Sequence, residues 1–590
     1  MQIKINRNFI WSNIIVDQLA ECGIKYACIS PGSRSTPITY SISLNKKIRS
    51  FVHVDERVSG FFALGLAKKS NSPVMIITTS GTATAELYPA IIEAYQNRVP
   101  LIICTADRPS YLRNTGTNQT INQENIYKNH IRFFYDTGLP KLDSTSIKKL
   151  KSTVLKAFSI SDKTDRGPVH LNLPFEKPLE PDSYTDSIEE NILLETLAQE
   201  IPIKNNGTNN PLNKKSLSSI NSLLKKSVRG LITVGSGNFD QSFLNLLNEF
   251  SIRFSLPVFA DATSGMRFNG EIFSNLIVNY DSLLRSELFI ETYKPKYILH
   301  FGRPLTSPRI ENIFKNTSLK VFIVNNFGDF SFKQTADKKI MMDEKEFLSE
   351  FIAADYKKEQ DPLIKAAKDI DELLENIKSK IFFKAEKINE VQVLCDVLDS
   401  ISPNSNIMIG NSVPVRDLDF LSSSLKKKLI IHQNRGASGI DGIIATSAGI
   451  STLSKIPTYL VIGDLSFYYD LNSLLTIKQL QIPLVIILIN NSGGSIFKFL
   501  PIAKHKKILD RYFLTPTHLE FGKIVEAFGI DYKEIKTTQE LIKHLKVSGI
   551  RKQPAVFEIK TNSDYSLSLR KKYWKMAEST IDDYLRKYEV

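Results

Sequence analysis

Short apolar runs recur along this chain, and each ends in a Gly/Ser/Asn-rich loop that opens an amphipathic span. Apolar runs bounded by turn residues predict buried strands, and the spans between them predict helices. Tyr26–Ser30 leads into Pro31-Gly32-Ser33-Arg34-Ser35-Thr36-Pro37, and Phe51–Val54 leads into Asp55-Glu56-Arg57. Val74–Thr79 leads into Ser80-Gly81-Thr82, and Leu101–Thr105 into Ala106-Asp107-Arg108-Pro109. A first helix is predicted over 7–23, and Gly167–Pro174, bounded by prolines, predicts an edge strand closing the first domain. The pattern returns at Arg229–Gly237, Pro257–Phe259, Tyr297–Phe301 and Lys320–Val324. It returns again at Ile407–Gly410, Lys428–Ile431, Pro457–Ile462, Pro483–Ile489 and Ala555–Ile559. Strand, loop and helix in steady alternation predict an α/β protein of three doubly wound parallel-sheet domains. Their expected limits are 1–182, 183–355 with an N-terminal linker, and 356–590 with a charged helical connector. The polar, Asn/Pro-rich stretch from Glu180 to Lys215 supplies the linker.

Composition narrows the class. The chain has 590 residues, 42% hydrophobic and 23% charged, which is ordinary for a globular protein. No apolar run approaches the roughly 18 residues that span a bilayer, so no membrane role is expected. Residues 1–23 carry acids and lack a small-residue cleavage site, which favours a helix over a signal peptide and a cytoplasmic location. Cys22, Cys28, Cys104 and Cys395 lack metal-ligand spacing and read as free thiols. The net charge of +14 raises nucleic acid as a partner. Most lysines alternate with acids on helices, however, and the basic stretches at Lys504–Lys507 and Arg570–Lys575 read as short local patches. No nucleic-acid partner is expected.

The candidate chemistry lies at strand ends. Gly463-Asp464 ends one strand, and Asn490-Asn491 ends the next, followed by Gly493-Gly494. If those strands are parallel neighbours, Asp464, Asn491 and a freed backbone carbonyl supply hard oxygen ligands for Mg²⁺ that also holds a phosphorylated partner. The loop around Ser33 and Arg34 has an anion-binding layout, although a plain β–α turn has the same sequence. Gly116-Thr117-Asn118-Gln119-Thr120 either orients a polar ligand or closes turns. Arg34, Arg108, Arg416 and Arg435 lie in or beside Gly/Ser/Asn-rich loops, where arginine forks carboxylates or phosphates. Gly235-Ser236-Gly237 is laid out like a dinucleotide turn, but Asp240 stands where the third glycine belongs, and a structural turn is favoured. Arg98, Arg267 and Arg303 are further loop arginines, read by sign and placement as an anionic effector pocket between the first two domains. For Arg267 and Arg303 a surface or interdomain role is the favoured alternative. The chain has no plausible Ser-His-Asp set and no cysteine nucleophile with a partner. A diphosphate cradle without a side-chain nucleophile points to borrowed cofactor chemistry.

Gly463-Asp464 with Asn490-Asn491 resembles the diphosphate motif of thiamine-diphosphate-dependent enzymes, with Leu465 where that motif usually has glycine. The set SPGSRSTP, VDERVSGFFALGLA, TSGTATAELYPA, TADRP, GTNQTI, NRGASGIDG, GDLSFYYDLN and NNSGGSIF, in that order from Ser30 to Phe497, resembles the MenD family. These are the 2-succinyl-5-enolpyruvyl-6-hydroxy-3-cyclohexene-1-carboxylate synthases of menaquinone biosynthesis. The resemblance implies the thiamine-diphosphate-binding fold, with thiamine diphosphate and Mg²⁺ or Mn²⁺ as cofactors. It implies 2-oxoglutarate and isochorismate as substrates. It implies Glu56 as the acid on N1′ of the aminopyrimidine, a position otherwise suited to a helix N-terminal acid. Ser33, Arg34, Arg108, Asn118, Gln119, Arg416 and Arg435 match substrate-contact positions, and Ser412 lies beside them. Ile496, Phe497 and Leu500 form an apolar wall over the substrate ring, or else belong to a helix core. Ile440 is the candidate wedge under the cofactor. Thr79, Ser80, Asn411, Gly463, Leu465, Ser466 and Gly494 join the cofactor set, and Asp464, Asn491 and the Gly493 carbonyl the metal set. The resemblance also implies a homodimer or homotetramer with active sites at the subunit interface.

Two rivals stay open at this point. Another thiamine-diphosphate lyase, such as an acetolactate synthase or a 2-oxoacid decarboxylase, shares the diphosphate motif, but the loop arginines argue against a small neutral substrate. A non-catalytic nucleotide-binding protein rests on the Gly235 turn and the positive charge.

Overall fold

The computed structural model describes residues 2–189, 214–226, 228–237, 239–271, 273–314, 319–326, 338–353, 356–549 and 552–588, with isolated positions in 191–198. Three six-stranded sheets form, and every strand pair in them is parallel. Strands such as Leu101–Asp107 and Val74–Thr78 are buried throughout, as expected where helices cover both faces of a parallel sheet.

The first sheet runs, in space, Arg49–Val52, Tyr26–Ile29, Val74–Thr78, Leu101–Asp107, Pro168–Pro174, Phe133–Asp136. Pro168–Pro174 is therefore not an edge strand, contrary to the reading from its prolines. It pairs with Leu101–Asp107 on one side and Phe133–Asp136 on the other, and its prolines sit at the two ends of the strand. The third sheet runs Ile430–His432, Asn406–Ile409, Thr458–Gly463, Leu484–Asn490, Ala555–Lys560, Asp531–Ile535. Numbered by chain order, both sheets read 2-1-3-4-6-5, a repeat of topology that no sequence motif announces. The middle sheet reads 3-2-1-4-5-6, the doubly wound dinucleotide-binding order. Its first turn is built for backbone packing, since a Cβ on Gly235 would stand 1.5 Å from the Arg303 carbonyl oxygen.

The first helix is Arg7–Glu21, capped by the Asn6 side chain. Ahead of it lies a strand the hydrophobic pattern missed. Gln2–Ile5 pairs antiparallel with Asp186–Glu189, so the start of the expected linker is a strand, and most of the remainder lies outside the described residues. The connector helix Pro362–Lys378 packs on a long C-terminal helix, Ser563–Lys587.

The cores cross domain limits. Helix Glu56–Ser70 of the first domain packs against Ile443–Thr452 of the third, and Phe61, Phe62, Ile443, Leu460 and Leu474 share one apolar cluster. Ile443–Thr452 is buried on nearly all sides, which explains why its sequence shows no polar face. No helix among the described residues is long and apolar enough to cross a membrane.

Candidate active site

Ligands of open parallel sheets bind where the strand order reverses. In the first sheet that point lies between Tyr26–Ile29 and Val74–Thr78, and in the third between Asn406–Ile409 and Thr458–Gly463. The loops leaving these four strands carry Ser33 and Arg34, Thr79 and Ser80, Asn411 and Ser412, and Gly463 and Asp464.

In the first domain the structure brings Arg34, Ser80, Arg108 and Gln119 together. Gly32 lies against Thr79, where a Cβ would come within 2.3 Å of the threonine Cβ. The Arg108 guanidinium donates to Ser80 Oγ, and its buried Nε has no partner. Gln119 Nε2 donates to the Ser80 carbonyl at 3.0 Å, and Ser80 Oγ donates to the Gln119 carbonyl at 3.1 Å. Arg34 Nη1 donates to the Phe175 carbonyl at 2.8 Å. Burial, and then the charge of Arg108, lowers the Arg34 pKa; burial also lowers that of Arg108. Two partly desolvated cations in mutual reach favour an anion between them. Asn118 is exposed, and Gln119 holds a left-handed backbone at φ 56°.

In the third domain Asn411 Nδ2 donates to the carbonyls of Asn434 and Gly439, at 2.7 and 2.6 Å, and its buried Oδ1 has no partner. This fixes the loop that carries Arg435 and the half-buried Ile440. From the first domain, the Glu93 carboxylate accepts the N–H groups of Gly436 and Ala437 at 2.9 and 2.7 Å. Ser412 has φ 73°, a strained setting for a residue with a side chain, and its carbonyl accepts from Arg416 Nη1 at 2.6 Å. Burial, and then the charge of Arg435, lowers the Arg416 pKa.

The cradle forms as the spacing predicts. Thr458–Gly463 and Leu484–Asn490 are parallel neighbours, with Gly463 opposite Ile489. Asp464 Oδ2 accepts the Gly493 N–H at 2.7 Å, and burial pushes the Asp464 carboxyl up to about 6. Gly463 leaves open space where a side chain would stand. Gly493 has φ 118°, and a Cβ there would stand 2.1 Å from the Leu514 carbonyl oxygen, so only glycine fits. Asn491 Nδ2 donates to Glu390 Oε1 at 2.8 Å and Ser495 Oγ at 2.9 Å, whereas the buried Asn491 Oδ1 has no partner. A buried carboxylate beside an unpartnered buried amide oxygen fits a divalent cation that completes its shell with diphosphate oxygens. Ser466 is buried and Leu465 half-buried behind Asp464, and Gly494 donates its N–H to the Leu514 carbonyl. Ile496 and Phe497 lie on the turn Ser495–Phe499, with the Phe497 ring against Phe513; Leu500 is 47% exposed. The three are half-buried or exposed, which rules out a role as plain core residues.

Glu56 follows the first-domain strand Arg49–Val52. It opens the helix Glu56–Ser70, capped by Asp55, and lines a cavity of about 660 Å³ with Val54, Asn472, Thr476 and Phe528. Burial, then the nearby Asp55 and Glu86, raises its pKa. Among the described residues, no hydrogen bond or ion pair joins Glu56, Arg34 or Arg108 to Asp464 or Asn491.

Two readings change. Arg570 is not part of a solvated basic patch. It is buried and paired with Asp417 and Glu390. Arg267 lies outside the expected effector pocket, because it is fully buried and paired with Asp419 at 3.2 Å, tying the middle domain to the third. Arg98 and Arg303 do line a cavity of about 680 Å³ where the three domains meet. Glu390 and Glu93 escaped sequence reading: each lies on a helix in no motif, and Glu390 follows Asn389, the cap of its helix, where an acid is commonplace.

Comparison with known proteins bears on this geometry. Residues 11–126 match the model described as thiamine pyrophosphate enzyme, N-terminal TPP binding domain, and residues 423–559 its C-terminal TPP binding domain. The 2-succinyl-5-enolpyruvyl-6-hydroxy-3-cyclohexene-1-carboxylate synthase of Bacillus cytotoxicus is 33% identical over 577 residues, 97% of each chain. Those of Bacillus velezensis and Haloquadratum walsbyi are 35% identical over 88% of each chain and 32% identical over 90% of this chain and 92% of that one. The crystal structure of benzoylformate decarboxylase from Polynucleobacter necessarius shares the fold, with TM-score 0.69 at 14% identity over 95% of this chain and 99% of that one. Near-full-length identity above 30%, with both thiamine pyrophosphate binding domains matched, places this chain in the 2-succinyl-5-enolpyruvyl-6-hydroxy-3-cyclohexene-1-carboxylate synthase family of thiamine-diphosphate enzymes.

Proposed function

We propose that this protein is a transferase of menaquinone biosynthesis that decarboxylates 2-oxoglutarate and adds the succinyl unit to isochorismate. The products are 2-succinyl-5-enolpyruvyl-6-hydroxy-3-cyclohexene-1-carboxylate and CO₂. The observation that carries the reading is the Asn491 amide oxygen, buried and unpartnered beside Asp464 and Gly493. Thiamine diphosphate, when bound, supplies the electron sink that lets a 2-oxo acid lose CO₂. Asp464, Asn491 and the Gly493 carbonyl hold Mg²⁺ or Mn²⁺ on its diphosphate, with Gly463, Leu465, Ser466 and Gly494 around it. Thr79, Ser80, Asn411 and the wedge Ile440 seat the rest. Glu56, its pKa raised by burial, exchanges a proton at N1′ of the aminopyrimidine. Both substrates are carboxylates, so at least three anionic groups need holding. Arg34 and Arg108 with Ser33, Asn118 and Gln119 form one clamp, and Arg416 and Arg435 with Ser412 form the other. Ile496, Phe497 and Leu500 keep water off the substrate ring.

Within one chain the cavity that Glu56 lines takes in neither Asp464 nor Asn491, and we assign the working unit to a homodimer or homotetramer in which Glu56 of one copy faces Asp464 of another. Val54 beside Glu56, and Tyr468 and Tyr469 on the helix after Asp464, are 70%, 50% and 58% exposed, an apolar surface suited to that contact. The three domains are set at 1–182, 183–355 and 356–590. The cytoplasm is the proposed compartment, in keeping with four free cysteines. The test is isochorismate consumption with 2-oxoglutarate. It should require both thiamine diphosphate and Mg²⁺, and turnover without either one would refute the assignment.

A further inference from the structure

Glu390 is the first residue of the helix Glu390–Ser400 and is 2% exposed. Its Oε1 accepts from Asn491 Nδ2 at 2.8 Å and from Thr561 Oγ1 at 3.4 Å; its Oε2 accepts from Arg570 Nη2 at 2.7 Å. Arg570, on the helix Ser563–Lys587, also donates through Nε to Asp417 Oδ1 at 2.9 Å and through Nη2 to Asp417 Oδ2. Asp417 is the neighbour of Arg416 on the helix Val413–Leu421. The buried chain is thus Asp417, Arg570, Glu390, Asn491.

An asparagine amide has one donor end and one acceptor end, and a carboxylate only accepts. Glu390 therefore obliges Asn491 to turn its nitrogen inward, and Ser495 Oγ accepts from the same nitrogen. The amide oxygen is left buried with no partner. An apolar residue at position 390 would leave the amide free to turn either way, and a donor there would turn it over.

We propose that Glu390, anchored by Arg570, is a positioning residue that orients the Asn491 amide so that its oxygen, not its nitrogen, meets the divalent cation. The proposal rests on Asn491 being a cation ligand. It links the cation site to the helix that carries Arg416 through one buried guanidinium. Groups that orient a ligand from behind typically change metal affinity by about 10–100-fold when altered.

The Glu390→Gln change is the informative one, because it keeps shape and removes one acceptor. The glutamine oxygen stays on the charged Arg570, its nitrogen faces Asn491, and the asparagine turns its nitrogen toward the cation. Asn491→Asp sets two carboxylates against each other. The double variant, Glu390→Gln with Asn491→Asp, restores complementarity: the new amide donates to one oxygen of the new carboxylate and leaves the other for the cation. Mn²⁺ affinity should be measured by electron paramagnetic resonance on full-length protein with saturating thiamine diphosphate, alongside the melting temperature of each metal-free variant. Each single variant should lose about ten-fold or more in Mn²⁺ affinity, and the double should recover most of it. Wild-type Mn²⁺ affinity in Asn491→Ala would mean that Asn491 is no ligand, and the cation reading itself fails. Lost affinity in Asn491→Ala with wild-type affinity in Glu390→Gln, or no recovery in the double, would overturn the positioning role alone. Should Glu390→Gln not fold, Glu390→Asp decides: the shortened acid keeps a charge for Arg570 but withdraws from the Asn491 amide, so its Mn²⁺ affinity should fall, and wild-type affinity there would overturn the positioning role.

Discussion

Arg108 carries its charge into a buried setting with one side-chain partner, Ser80, and an Nε that has none. In the proposed clamp, losing one charge-assisted bond to a substrate carboxylate costs about 1.5–3 kcal/mol. Alanine at Arg34, Arg108, Arg416 or Arg435 should therefore raise KM or lower kcat about ten-fold or more. Steady-state kinetics with each substrate varied decide it, and wild-type values at all four positions would remove the clamp. His53 illustrates a different burial cost. It packs on Phe62, its Nδ1 lies 3.2 Å from Thr476 Oγ1, and burial pushes its pKa down to about 4. The unfolded side chain titrates near 6.5, so below that pH the unfolded state takes up the proton first. Stability present above about pH 6.5 is lost as the pH falls through about 4, and His53 accounts for about 3 kcal/mol of that loss. In His53→Gln the decline over that window should be shallower by one proton, read from denaturant melts of the metal-free protein. An unchanged slope would mean that His53 is charged in the fold. Arg34 and Arg108 were legible from the sequence because they lie in strand-end loops. Arg570 was not, because a lysine-rich exposed face surrounds it in sequence and only the packed helix shows that it points inward.

At the scale of elements, the helices Glu56–Ser70 and Ile443–Thr452 set the angle between the first and third domains. They touch through glycines: a Cβ on Gly65 would lie 2.1 Å from the Thr446 carbonyl oxygen, and one on Gly449 2.2 Å from that of Phe62. Backbone on the far side cannot swing away as a side chain can. Alanine is the better helix former by about 1 kcal/mol, yet overpacking here costs about 1–3 kcal/mol or more. Gly449→Ala should therefore lower the urea midpoint, and a midpoint at or above wild type would show that the crossing opens without loss. The sequence showed a helix rich in small residues after Glu56. It did not show that those small residues admit a second helix more than 370 positions away.

At the scale of the molecule, the proposed interface site pairs Glu56 of one copy with Asp464 of another. Glu56→Gln and Asp464→Ala proteins should each be inactive. Mixed and reassembled, they should recover part of the activity through hybrid sites that hold both intact residues. Verified heterodimers without activity would sink the interface arrangement. The repeated 2-1-3-4-6-5 topology is in keeping with that arrangement, because each sheet offers one switch-point crevice.

By itself the sequence determined the strand and helix alternation, the parallel sheets and the residues at strand ends, because these follow from local hydrophobic period and turn chemistry. It also pointed to the cofactor class, through the resemblance of Gly463-Asp464 and Asn490-Asn491 to the diphosphate motif of thiamine-diphosphate enzymes; that their strands lie side by side is what the structure adds. Only the tertiary structure decided which way a buried polar group points: Arg267 and Arg570 turn inward to carboxylates far away in the chain, and Glu390 turns toward Asn491. Those choices are set by desolvation, which is strong enough to demand a partner and carries no signature in the neighbouring residues.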